Sequence, residues 1–205
     1  MKKVLASLSV LVVCASVAFA QGAEKAAAHA SGLTQFTFTS ANTFYTTPFV
    51  DVLSTSITPP GGKDLFITYS AQTLLAAESI NDSTPALPFN FTFQNVGIQV
   101  RVLVDGVPIP IGPGSGITVI TFDNTVHQLN QFHTPGFDFL LLLAEEGGAR
   151  SFSWIAPDVG VGTHKVTVQS RFFASNFRFP LGTTFSALEA LMGAKTLTVE
   201  QVQLK

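Results

Sequence analysis

The chain has 205 residues, of which 46% are hydrophobic and only 12% charged, with a formal net charge of −2. Its basic residues are scattered rather than clustered, so nucleic acid is not an expected partner, and with 19 Phe the chain is too apolar for a disordered one. The charged fraction is about half of the ~25% typical of soluble domains, which leaves uncharged groups, chiefly the 22 threonines, to cover much of the surface.

Lys2 and Lys3 precede an apolar run from Val4 to about Val17, and Ala18-Phe19-Ala20 supplies a small-x-small site. Residues 1–20 are therefore expected to be a signal peptide cleaved near Ala20, which makes the protein secreted or periplasmic. The apolar run is shorter than the roughly 20 residues a membrane span needs, and no transmembrane anchor is expected later. Leu11-Val12-Val13-Cys14 resembles a lipobox, but Val13 stands where such a box wants a small residue. Cleavage removes Cys14, the only cysteine, and with it any disulfide, thiolate nucleophile or zinc–sulfur site. Nine basic and thirteen acidic residues then remain, a formal charge of −4.

Residues 21–33 are small and Ala-rich and read as a flexible leader; 34–205 read as a single domain. From Thr34 the period becomes two, with Phe36 and Phe38 on one face. Residues 49–58 form a second extended stretch, closed by Pro59-Pro60-Gly61-Gly62, and Leu65–Ser70 is a strand rich in β-formers. Residues 76–90 read as a loop. Ile98, Val100, Val102 and Val104 line one face ahead of Asp105-Gly106, a two-residue hairpin turn. The return strand meets Pro108, Pro110 and Pro113, so its pairing is short. Residues 117–122 form a strand, and 137–144 either a central strand or a subunit contact. Ser151–Trp154 alternates, with Trp154 expected in the core. His164–Arg171 puts Val166 and Val168 inward. Phe185, Leu188, Leu191 and Met192 fall at helical spacing before Gly193, which predicts one short helix near 184–192. Val202 and Leu204 are out of phase with Leu197 and Val199, which predicts a bulge near Glu200-Gln201. The fold class is all-β: a two-sheet, jelly-roll-like sandwich.

Gly162-Thr163-His164-Lys165-Val166-Thr167-Val168-Gln169, a variable loop, then Lys195-Thr196-Leu197-Thr198-Val199 resembles the closing pattern of bacterial and phage secreted jelly-roll domains related in shape to the TNF and C1q heads. The resemblance covers about the last third of the chain and the Val100–Asp105 strand, and its motifs are generic strand chemistry. It implies a homo-oligomer, specifically a trimer, assembled through aromatic-rich faces.

Chemistry is sparse. Asp123, His127, His133 and Asp138 combine ligand types that zinc accepts or that an acid–base pair uses. Their spacing matches no metal or catalytic box, and an ordinary polar loop is the expectation. No nucleophile elbow or phosphate-binding glycine loop is present, so neither catalytic residues, metal nor cofactor are expected. A carbohydrate-binding module is the rival reading, with Tyr45 as its ligand candidate, although 19 Phe against one Trp and two Tyr is a poor platform composition. A hydrolase or metal site at the His127/His133 loop is a further alternative. Phe89, Phe91 and Phe93 alternate onto one face, and Phe172, Phe173, Phe177 and Phe179 crowd a second segment. These seven are candidate interface residues, against the plainer alternative of extra core. The sequence thus points to an exported, non-enzymatic binding or structural module whose partner is a protein or glycan.

Overall fold

Strands that alternate apolar and hydroxylated side chains present one greasy face each, and two sheets of them bury those faces against each other. The computed structural model describes residues 24–39, 43–59, 63–82, 89–132, 139–179 and 186–203. Residues 1–20, read above as a signal peptide and containing Cys14, and the candidates His133 and Asp138 lie outside them. No helix occurs among the described residues. The strands are β1 (Lys25–Ala30), β2 (Thr34–Thr39), β3 (Thr43–Thr46), β4 (Val50–Ile57), β5 (Lys63–Asp82), β6 (Phe89–Val104), β7 (Val107–Pro108), β8 (Ile120–Phe132), β9 (Phe139–Val159), β10 (His164–Phe179) and β11 (Ser186–Val202).

A five-stranded antiparallel sheet runs β1–β11–β5–β9, with β2 also on β11; a six-stranded one runs β3–β10–β6–β7, with β4 also on β10 and β8 also on β6. Because β1 and β2 lie in series along β11, and β4 and β3 along β10, each sheet is four ribbons wide. The chain crosses between the sheets after β2, β4, β5, β8, β9 and β10, which is jelly-roll connectivity. Leu65, Ile67, Tyr69, Trp154, Leu197 and Val199 of one sheet meet Val100, Val102, Val166, Val168 and Phe172 of the other, all fully buried. One open side is closed by aromatic pairs that span the sheets: Phe36 on Phe172, ring centroids 6.1 Å apart, and Phe38 on Tyr45 at 4.7 Å.

The Asp105-Gly106 turn is as expected: φ is 51° and 84°, the two positive angles of a type I′ turn. Its return strand is short: β7 pairs at Val107 and Pro108, and the Ile109 N–H adds one bond to the Val102 carbonyl at 3.0 Å. Five other expectations need correction. The stretch read as a leader contains β1, paired with β11 from Lys25–Glu200 to Ala30–Lys195. The loop read at 76–90 is strand up to Asp82 and again from Phe89. The helix read near 184–192 is strand from Ser186 onward: Leu188, Ala190 and Met192 are buried in alternation, and period two wins because Ala190 fills an inward slot. Gly193 is not a helix cap but part of a bulge between Met192 and Lys195. That is the only register shift of the β11–β5 ladder, so no bulge falls near Glu200-Gln201; Gln201 takes the inward slot instead, 9% exposed. The apolar run at 137–144 enters β9, which among the described residues pairs with β5 alone and is an edge strand rather than a central one.

Candidate binding face

In an antiparallel ladder, residues directly opposite share a face, and faces alternate along each strand. The β6–β10 register runs from Val104–Val166 to Phe91–Phe179 without a shift. Val96, Ile98, Val100 and Val102 face the core, each 0% exposed. The odd-numbered positions of both strands therefore occupy the outward face. Near the Asp105-Gly106 turn these are Arg101, Gln99, Gln169 and Arg171. Beyond Gly97 and its partner Phe173 they are positions 95, 93, 91 and 89 on β6 and 175, 177 and 179 on β10, with Asn95 and Ser175 as the first pair. Phe93 stands opposite Phe177 and Phe91 opposite Phe179, while Phe89 pairs with Phe132 of β8.

The inward slots change in the opposite sense. Past Val96 they carry Gln94, opposite Asn176, at 1% and 3% exposure. On β8 the matching slots hold Asp123 and Thr125, both buried, and half-buried His127. The sheet thus reverses its greasy face with no slip in register. The pivot is Gly97: a Cβ there would sit 2.6 Å from Phe173 ring carbons and 2.7 Å from the Asp123 carbonyl oxygen. Only a glycine lets the Phe173 ring lie this close over the strand.

Inside the reversed half, a polar layer joins the sheets. Thr73 Oγ1 on β5 donates to Asp123 Oδ2, and Arg150 Nε on β9 donates to Asp123 Oδ1 at 2.9 Å. Glu146 lies 3.8 Å from the same guanidinium. Buried Lys195, at the β11 bulge, donates to the Gly32 carbonyl, and its burial pushes its pKa down. Asp123 is thus a cross-sheet tie with both oxygens engaged. His127 Nε2 lies 3.2 Å from Thr125 Oγ1. Four residues of extended strand put His127 about 13 Å from Asp123 along β8. Among the described residues no three His, Cys, Asp or Glu side chains stand close enough to hold a metal ion.

The candidate aromatics separate by face. Phe172 is a core residue, fully buried on the inward side of β10, and is not available as an interface. Phe173 lies outward but is largely covered. Phe89, Phe91, Phe93, Phe177 and Phe179 hold outward register positions. Tyr45 is a β3 residue whose ring is stacked on Phe38, so one face of the candidate sugar platform is occupied.

At the opposite end of the face stand two further arrangements, the first of which escaped the sequence reading. Arg101 Nε donates to Gln169 Oε1 at 2.8 Å and Arg171 Nε to Gln99 Oε1 at 2.7 Å. Both guanidiniums lie against the Phe49 ring, 4.1 and 4.6 Å from its centroid. Alternation placed both arginines outward, but Phe49 precedes β4 and no spacing rule links it to them. At the turn itself, His164 Nδ1 is 2.7 Å from Asp105 Oδ2 and Nε2 is 3.0 Å from the Gly160 carbonyl. Only the imidazolium donates from both nitrogens. The hydrogen bond to Asp105 and then that to Gly160 raise the His164 pKa; the bonds from His164 and from the Lys165 N–H lower that of Asp105.

No protein-family model and no curated protein matches the chain. Among solved structures, the infectious bursal disease virus Gx strain matches with a TM-score of 0.23 and 8% identity over 87% of this chain. The crystal structure of that virus's VP2 subviral particle matches at 0.17 and 7% over 83%. The chain spans 42% of either viral chain, and similarities this low carry no argument. No helix among the described residues is long and apolar enough to cross a membrane.

Proposed function

We propose that the protein is an exported, non-enzymatic binding or structural module that self-associates through the phenylalanine-bearing outward face of its six-stranded sheet, as a closed oligomer and specifically a trimer. The basic-apolar-small N-terminal pattern supports export. The observation that carries self-association is the unshifted β6–β10 register, which pairs Phe91 with Phe179 and Phe93 with Phe177 on the side away from the core. Each apolar Å² left in water forgoes about 25 cal/mol, and apolar outward patches rimmed by polar groups mark association sites. A second copy is the occupant argued for here, because a surface with so few charges, on a chain 12% charged, offers little to oppose like meeting like. The resemblance to trimeric jelly-roll heads points the same way. Sedimentation equilibrium tests it. The expected result is a trimer at micromolar concentration that dissociates in the Phe93→Ser, Phe177→Ser double variant. A monomeric parent protein at that concentration contradicts the reading.

A further inference from the structure

We propose that Arg101 and Arg171 form an oxyanion-binding site on the outward face of the six-stranded sheet, taking the carboxylate, sulfate or phosphate group of an acidic ligand. Register sets the two arginines diagonally: Arg101 stands opposite Gln169 and Gln99 opposite Arg171. Each Nε donates to the facing glutamine oxygen, at 2.8 and 2.7 Å. Those bonds fix the plane of each guanidinium and leave the terminal nitrogens, the edge that grips an oxyanion, unengaged by them. The Phe49 ring, 4.1 and 4.6 Å from the two guanidinium carbons, holds both cations on one surface and shields them on one side.

The choice of partners distinguishes this cluster from a structural ion-pair network. Neutral amides orient the arginines without cancelling their charge. Among the described residues no carboxylate stands within ion-pair distance of either. The nearby acid, Asp51, accepts instead from Gln169 Nε2 at 2.6 Å. Two half-buried like charges on one ring repel each other, and a bound anion removes that repulsion while accepting hydrogen bonds from both. This proposal does not depend on self-association through the phenylalanines, and its test is independent of oligomeric state.

The test follows the arginine Nε–Hε NMR signals of the protein during titration with sodium sulfate, sodium phosphate or sodium acetate, with ionic strength held constant by sodium chloride. Arg101 and Arg171 should shift together and saturably with at least one of the three, and the tightest of them identifies the oxyanion. Arg150, engaged by Asp123, should not follow them. Arg171→Gln should weaken binding at least tenfold, while Arg171→Lys, which keeps the charge but loses the fork, should weaken it less. The proposal is overturned if neither signal saturates with any of the three, if only one of the two does, or if Arg171→Gln, its spectrum otherwise intact, titrates like the parent. The parent titration decides the matter by itself should that variant fail to fold.

Discussion

Near the Asp105-Gly106 turn, β6 and β10 bury Val100, Val102, Val166 and Val168 and turn Arg101, Gln99, Gln169 and Arg171 outward. Beyond Gly97 on the same two strands, Gln94 and Asn176 are buried and phenylalanines hold outward register positions. Since the ladder does not slip between them, the difference is written in side-chain order alone. One end is built as a soluble sandwich. The other puts phenylalanines at outward register positions and ties part of a polar interior together through Thr73, Asp123 and Arg150, an order that suits an outward face with something to pack against.

The largest expected effect comes from removing the polar tie of the reversed half. Asp123→Ala removes the shared acceptor of Thr73 and Arg150, leaving the hydroxyl only the Gly148 carbonyl at 3.4 Å and the guanidinium only Glu146 at 3.8 Å, and should cost about 2–3 kcal/mol, a figure that allows for the partial solvation of Arg150. Tyr69→Phe is the matching probe of the near half. The Tyr69 hydroxyl is buried and has no hydrogen-bond partner among the described residues, and burial pushes its pKa up. Its removal should leave stability unchanged or raise it by up to about 1 kcal/mol. Urea denaturation of both variants gives the contrast directly. Equal losses from the two would mean that buried polar groups are handled alike at both ends.

A smaller effect belongs to the turn. His164 has its pKa raised in the folded chain, so the stability it contributes is fully present below its unfolded value of 6.5 and is lost as pH rises through the folded value. Asp105, lowered from 3.8, has the opposite sign: its contribution is present above 3.8 and is lost as pH falls through the folded value. The gap in melting temperature between the protein and His164→Gln should therefore narrow as pH rises from about 6 to about 9. A gap that stays constant would show that the ring is held in its neutral form.

What the sequence made legible was local. The β6 face, the type I′ turn, the inward Val166 and Val168 and the buried Trp154 all follow from period-two alternation and turn chemistry. Where reading failed, the cause was usually a polar or small residue in an inward slot. An inward Gln201 mimics a phase slip, Ala190 is invisible to a helical count of large apolar residues, and Asn81 and Asp82 have loop chemistry although β5 carries them. The site candidates divided for the same reason. Phe172 and Phe173 are neighbours in sequence, yet alternation sends one to the core and the other over Gly97. The Asp123–Arg150 tie and the Phe49–Arg101–Arg171 cluster join residues from separate strands, and only tertiary pairing brings them together.

Thiol accessibility at adjacent positions tests the reversal most directly, since replacing Cys14 with Ser leaves a cysteine-free background. Phe93→Cys and Gln94→Cys, each introduced alone, are labelled with a water-soluble maleimide over a range of protein concentrations. The account predicts that position 93 reacts quickly in dilute protein and more slowly as concentration rises and copies associate, while position 94 stays protected throughout. Faster labelling at 94 than at 93, or a rate at 93 that ignores concentration, would contradict it.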